Sequence, residues 1–219
     1  MITCFCMRIT KLGHCCLLIE EGVLKILTDP GNYSTGQNTA RGLKVILITH
    51  EHADHLHIES LKKVLDNNPL AEVFTNVAVG KILDKAGIRS NLLRHQGKKV
   101  IEGILIEGFG EKHAEVHPDW PRVLNTGFFI GERFFYPGDA LYLPERPVEI
   151  LALPVAGPWL KLSEAVEYAK TVRPKTCFPV HDGMYKTKLV SLVHRLPEKL
   201  LSSVGIRFAP LLPGGSITV

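Results

Sequence analysis

The hydrophobic and polar positions along the chain change period several times, and each change marks an expected element. "MRITKLG" and "CCLLIEEG" read as two strands joined near Gly13. "VLKILTDPG" reads as a third, stopped by the turn signal Asp29-Pro30-Gly31. "KVILITH" is a nearly unbroken apolar run with β-branched residues, the pattern of a strand buried on both faces. Helical spacing follows. In "ESLKKVLDNN" the apolar residues Leu61, Val64 and Leu65 fall on one face, and "NVAVGKILDKAG" runs to Gly87, a suitable C-terminal cap. Strand signals return in "KKVIEGILIEGFG", "TGFFIGERFFYPGD" and "VEILALPV", with a hairpin expected at Gly131-Glu132. "LSEAVEYAKTVRP" predicts a helix capped by Ser163 and ended before Pro174. "TCFPVH" predicts a short strand, and "KTKLVSLVHRL" a last helix before the closing "GIRFAPLLPGGSITV".

Each half therefore runs through strands and then helices. Two sheets face to face with helices outside would accommodate that order, in an α/β or α+β class. No Pro/Gly/Ser linker divides the halves, so residues 1–219 are expected to form one domain. A chain of 219 residues, 45% hydrophobic and 22% charged, can bury a full core of that kind.

Charge and cysteine usage narrow the function classes. The net charge of +4 is mild, and cations such as Lys62, Lys63, Lys98, Lys99 and Arg195 are scattered rather than striped. A small-molecule substrate is thus expected over nucleic acid. No apolar run approaches the ~20 residues of a membrane span. Arg8, Lys11 and His14 interrupt any secretory leader, so a cytoplasmic chain is expected. Cys4, Cys6, Cys15, Cys16 and Cys177 form no disulfide framework. Cys4-x-Cys6 could be half of a soft-metal site, but Cys15 and Cys16 would point to opposite faces of a strand, and small buried residues are the simpler reading. Homo-oligomerisation is left open by the sequence.

The chemistry concentrates in "LITHEHADHLH", where an apolar strand delivers four histidines, a Glu and an Asp into the following loop. His50 and His52 can converge on one point, and Asp54 and His55 on a second a few Å away. Imidazole with carboxylate suits zinc, and also manganese or iron. Four local ligands cannot complete two sites. Further candidates stand at three apparent strand ends: His113 after "IEGFGEK", Asp139 after "RFFYPG" and His181 after "KTCFPV".

On these residues the chain resembles the metallo-β-lactamase fold superfamily of metal-dependent hydrolases. His50, His52, Asp54 and His55 match its H-x-H-x-D-H signature in full, and His113, Asp139 and His181 follow in the right order. "LGHCCLLIE…ILTDPG", "YPGDA" and "FPVHDG" also match, so the resemblance runs from about residue 8 to the C-terminus. It implies a four-layer αβ/βα sandwich with two divalent ions, zinc before manganese or iron, at one edge of the sheets. His50, His52 and His113 would hold the first ion, Asp54, His55 and His181 the second, and Asp139 would bridge both. "EKHAEVHPDW" also offers His117, but His113 follows its strand directly and is preferred; His117 and Trp120 would then lie over the site. Asp29 would orient a ligating imidazole. His14 is typical of a branch that includes sugar-phosphate lactonases and phosphodiesterases of N-acyl lipids, and is placed near the substrate. His57 and His95 read as surface or packing residues.

The reaction so implied is hydrolysis of an ester, lactone or phosphodiester of a small molecule by a hydroxide held between two metals. Asp54 would take its proton, and His14 or His117 could protonate the leaving group. Lys161 and Arg122 are candidate anion contacts. The alternatives are an iron-dependent sulfur dioxygenase or other redox member, a nuclease of the same fold, and a non-catalytic metal-binding module. The nuclease lacks room here for a substrate-binding arm between His55 and His181.

Overall fold

The structure is a computed structural model that describes residues 6–219. Cys4, half of the Cys4-x-Cys6 pair, lies outside the described residues. In chain order the elements are β1 (Arg8–Gly13), β2 (Cys16–Glu21), β3 (Leu24–Thr28), β4 (Val45–Ile48), α1 (Ile58–Asn67), β5 (Glu72–Thr75), α2 (Val77–Lys85), β6 (Asn91–Leu92), β7 (Lys98–Ile101) and β8 (Ile104–Phe109). Then come β9 (Gly127–Ile130), β10 (Phe134–Tyr136), β11 (Ile150–Pro154), α3 (Leu162–Val172), β12 (Thr176–Val180), α4 (Thr187–Ser202), β13 (Arg207–Phe208) and β14 (Ser216–Thr218). They form two seven-stranded sheets, ordered β14-β1-β2-β3-β4-β5-β6 and β13-β12-β11-β10-β9-β8-β7.

The alternation of side chains along each strand generates the layers. In β4, Val45 and Leu47 join the core between the sheets, while Ile46 and Ile48 face Leu61 and Val64 of α1 and Val79 and Leu83 of α2. In the second sheet, Phe134 and Ala152 face inward, whereas Phe135, Leu151 and Leu153 pack with Ala165, Val166 and Ala169 of α3 and Leu201 of α4. The result is helices, sheet, sheet, helices, the four layers expected. Cys15 and Cys16 do point to opposite faces, into different cores.

Three local expectations change. Ser163 is not the cap of α3: Glu164 turns back to accept from the Lys161 N–H at 3.0 Å, which starts the helix two residues earlier. α4 does not stop at Leu196 but runs through Pro197 to Ser202. The closing segment contributes β13, which extends the second sheet beside β12, and β14, which covers the edge of β1. The Gly131-Glu132 hairpin is present, with φ of 59° and 57° at those two residues. Among the described residues no helix is long and apolar enough to cross a membrane.

The strands β3, β4, β10, β11 and β12 run parallel within their sheets, and β8 shares the direction of β10 through β9. Their carboxyl ends meet along one edge, where sites are built in such sheets.

Candidate metal centre

The edge is shaped by two loops laced together. After β3 the chain turns at Asp29 with φ of 36°, and Asn32 N–H donates to the Ala53 carbonyl at 2.9 Å while His57 N–H donates to Pro30 at 3.2 Å. After β4, His55 and Leu56 N–H groups donate back to the His52 carbonyl at 2.9 and 2.8 Å. That turn folds "HEHADH" upon itself, so that alternate side chains face two neighbouring points. From the second sheet, Asn125 clamps the Pro137–Asp139 turn by donating to the Pro137 carbonyl and accepting from Asp139 N–H. His181 takes a left-handed φ of 62° directly after β12, an outlier of the kind found at functional sites.

The seven expected ligands all come to this edge. In one group His50, His52, His113 and Asp139 offer ligand atoms within 4.8 Å of one another; in the other are His14, Asp54, His55 and His181. His50 Nε2 and His52 Nδ1 are 3.0 Å apart. Asp139 stands between the groups: Oδ2 is 2.9 Å from His181 Nε2 and 3.3 Å from His113 Nε2, and Oδ1 is 3.2 Å from His55 Nε2. Cys15 also comes near His55 and Asp139. His117 belongs to neither group. It is exposed and accepts from the Asp119 N–H at 3.2 Å, away from the cavity, so the structure does not bring it to the reacting centre.

These residues fit a metal. His55 Nε2, His113 Nε2 and Asp139 Oδ1 are buried without a hydrogen-bond partner and lie at the shared centre. Buried polar atoms left in this way are costly unless something else takes them up. The far sides of the His55 and His113 rings are held, whereas His181 Nδ1 is buried without a partner. Asp29, fully buried, accepts from His55 Nδ1 at 2.7 Å, from the Thr49 N–H and hydroxyl at 2.8 Å each, and from the Tyr136 hydroxyl. His113 Nδ1 donates to the Ala114 carbonyl at 2.6 Å. Trp159 donates its indole N–H to Asp139 Oδ2 at 3.1 Å.

His14 differs from the other members of its group. Its Nδ1 accepts from Gly183 N–H at 3.0 Å, so the neutral ring carries its proton on Nε2 and donates it to Asp54 Oδ2 at 3.1 Å. It is buried behind Asp54 and does not line the cavity. The expectation of a substrate-side His14 is thus replaced by a donor to Asp54.

The protonation pattern is split. Burial lowers His14 to about 4 against the hydrogen bond it donates to Asp54, and burial with neighbouring imidazoles lowers His50 and His52. Burial also works against charge on His55 and His181, but Asp139, together with Cys15 and with Asp29 at His55 and Asp54 at His181, outweighs it and raises both, His181 to about 10. Burial would raise Asp54 and Asp139; the adjacent imidazoles hold both carboxyls well below the usual range.

A cavity of about 430 Å³ opens onto the two groups, lined by His52, Asp54, His113, Asp139 and His181 and walled by Tyr33, Val116, Trp120, Pro158, Trp159 and Met184. Trp120 reaches it, as its loop position suggested. Trp159, Tyr33 and Met184 had no signal in the sequence, because each stands alone in an irregular segment. Arg122 turns its Nε to the His113 carbonyl at 2.9 Å, and Lys161 is exposed at the start of α3; neither lines this cavity.

A family model described as the beta-lactamase superfamily domain matches residues 8–181. Protein Rv0786c of Mycobacterium tuberculosis is 36% identical over 184 residues, covering 81% of this chain and 85% of that protein. A UPF0173 metal-dependent hydrolase from Methanocaldococcus jannaschii is 24% identical over 188 residues, covering 79% and 83%. The metallo-beta-lactamase fold protein YhfI from Bacillus subtilis, a crystal structure, is similar at a TM-score of 0.74 and 14% identity, covering 98% of this chain and 100% of that one.

Proposed function

The chain belongs to the beta-lactamase superfamily domain family and has its metallo-β-lactamase fold, and on that premise we propose that this metal-dependent hydrolase works with two divalent ions on an ester, lactone or phosphodiester of a small molecule. The observation that supports this reading is the pair of ligand groups sharing Asp139 between them. His50, His52 and His113 would hold one ion, Asp54, His55 and His181 the other, with Asp139 common to both. Zinc suits this imidazole-rich set, with manganese or iron as alternatives. Bound there, divalent ions supply Lewis acidity and water made acidic enough to react near neutral pH.

The chain's own groups do the rest. Asp29, the Ala114 carbonyl and Trp159 hold His55, His113 and Asp139 from behind and orient them towards the centre. Asp54 borders the cavity and is ionised throughout the working range, so it can accept the proton of the attacking water and, being a weak base, pass it on. His14 is a positioning residue that aims the Asp54 carboxylate through its Nε2–H.

The test joins metal content to turnover. Protein loaded with zinc or manganese should bind two equivalents and cleave generic esters, lactones or phosphodiesters. His52→Ala and Asp139→Asn should each cost more than the roughly 10–100-fold that an outer-sphere partner costs. One equivalent of iron with oxygen uptake on a persulfide would replace this reading with an oxidative one. Absence of binding under every loading condition would remove it.

A further inference from the structure

The walls of the cavity have a composition that bears on what enters it. Tyr33, Val116, Trp120, Pro158, Trp159 and Met184 surround the ligand groups, and among the described residues that line the space there is no lysine or arginine. Four of the six stand open to solvent to a degree unusual for apolar side chains in such a place: Trp120 is 67% exposed, Tyr33 50%, Met184 44% and Val116 42%. Exposed apolar surface gathered around a concave site marks recognition. A second cavity of about 440 Å³ continues from the first across Asn32, Tyr33 and Met184, which line both. Its other walls, Ser34, Thr35 and Gly183, are small and uncharged.

We infer that the centre acts on an uncharged carboxylic ester or lactone whose substituent is apolar or aromatic, and that it discriminates against substrates carrying a charge away from the scissile bond. This deepens the hydrolytic reading and rests on it. An anionic group held within this cavity would meet indole, proline and thioether surface and no lysine or arginine of its lining, so its desolvation would go uncompensated. Arg122 borders a small adjoining pocket, where its Nε donates to the His113 carbonyl at 2.9 Å. In the reaction, the acyl carbon gains the oxygen of water and its bond to the alcohol oxygen breaks. One water proton leaves with the alcohol and the other goes to solvent, giving a carboxylate. No further reactant is needed. The second cavity gives the longer half of such a molecule an uncharged channel in which hydroxyl groups could be tolerated and charges would not.

The chain contains two tryptophans, and both line this cavity, so tryptophan emission, excited where tyrosine does not absorb, reports on it. Zinc-loaded protein titrated with acetanilide, butyranilide and hexananilide should show saturable fluorescence changes, with affinity rising up to about fourfold per added methylene. In turnover, p-nitrophenyl hexanoate should exceed p-nitrophenyl hemiadipate, which replaces the terminal methyl by a carboxylate, by at least about tenfold in kcat/KM. Trp120→Lys should raise kcat/KM for the hemiadipate and lower it for the hexanoate, whereas Trp120→Phe should preserve the preference. Trp120 is exposed enough that neither change threatens folding. Affinity that is flat with chain length, or equal turnover of the two esters, would overturn the inference while leaving the hydrolase intact. Chain-length-dependent binding with no cleavage of any ester would instead sink the hydrolytic reading and leave the cavity's preference standing.

Discussion

Asp29 carries more of the site than a residue at a turn ordinarily does. Four donors converge on its buried carboxylate, from Thr49 twice, His55 and Tyr136. The Thr49 hydroxyl, His55 and Tyr136 all meet Oδ2, so an amide nitrogen there would present a donor where three groups need an acceptor. Asp29→Asn should therefore release the His55 ring and weaken metal binding about 10–100-fold; unchanged affinity in a competition titration against a chelator would show that Asp29 serves the turn alone. The imidazoles themselves give a pH prediction. Burial favours the neutral ring at His55 and His181, but the neighbouring acidic groups, Asp139 first among them, together override it, so without metal both hold protons at neutral pH, His181 up to about 10. Metal needs those lone pairs, so loading near pH 7 should release about two protons and affinity should climb with pH. Calorimetry in two buffers of different ionisation enthalpy measures this directly, and zero release would refute it. The sign for stability follows. For groups whose folded pKa is raised, the contribution is full below the unfolded value of about 6.5 and disappears as pH rises towards the folded one. Chelator-treated protein should thus lose stability between about pH 6.5 and 10, and loaded protein should not.

At the scale of elements, the site depends on how closely loops approach. Gly31 sits against the Asp54 carbonyl so tightly that a Cβ would overlap its carbon and oxygen. Gly31→Ala must push the "HADH" turn off its partner loop, and should lower metal stoichiometry while far-ultraviolet dichroism stays native. A second tie runs behind His181. Lys11 of β1, with no exposed side-chain surface, donates to Asp182 at 2.6 Å and to the Pro179 carbonyl at 2.8 Å, and His194 of α4 meets the other Asp182 oxygen at 2.8 Å. Asp182→Asn leaves a buried ammonium without its counter-charge and should cost about 3–5 kcal/mol in urea unfolding; a loss under about 1 kcal/mol would mean that Lys11 finds water. Neither tie was visible in the sequence, where Gly31 looked like a turn residue and Lys11 like an interruption of an apolar run. What was visible had a local signature. The ligand loop announced itself by its histidines, and the long strands and helices by their period. What escaped depended on distant partners. Strands of two and three residues, β13 and β14, carry too few positions to show a period, and β14 exists because β1 offers it an edge. The cap of α3 was misplaced because Glu164 reaches back beyond Ser163. Trp159 was invisible because its meaning lies in Asp139, twenty residues away.

Across the whole molecule, three cores hold one buried cysteine each: Cys15 between the sheets, Cys16 under α1 and α2, and Cys177 under α3 and α4. Burial pushes the Cys16 thiol up, and that of Cys177 up to about 12, so neither forms a reactive thiolate in the native fold at neutral pH. The strands that face the central core on one side face an outer core on the other, so no layer can open without stripping its neighbour. This sharing is the physical case for one cooperative domain, and it makes the thiols a test of that proposal. Brief alkylation in rising urea, read by mass spectrometry at each site, should leave Cys15, Cys16 and Cys177 protected up to a single common midpoint, while exposed Cys6 is modified throughout. An earlier midpoint for Cys16 would mean that the first sheet and its helices open by themselves. The metal supplies the second half of the argument. The ligands proposed for it come from both sheets, so an ion at a hundred times its dissociation constant should add about 2.7 kcal/mol to the whole. That stabilisation should raise all three midpoints together, because an ion bridging the sheets cannot hold one layer closed while another unfolds.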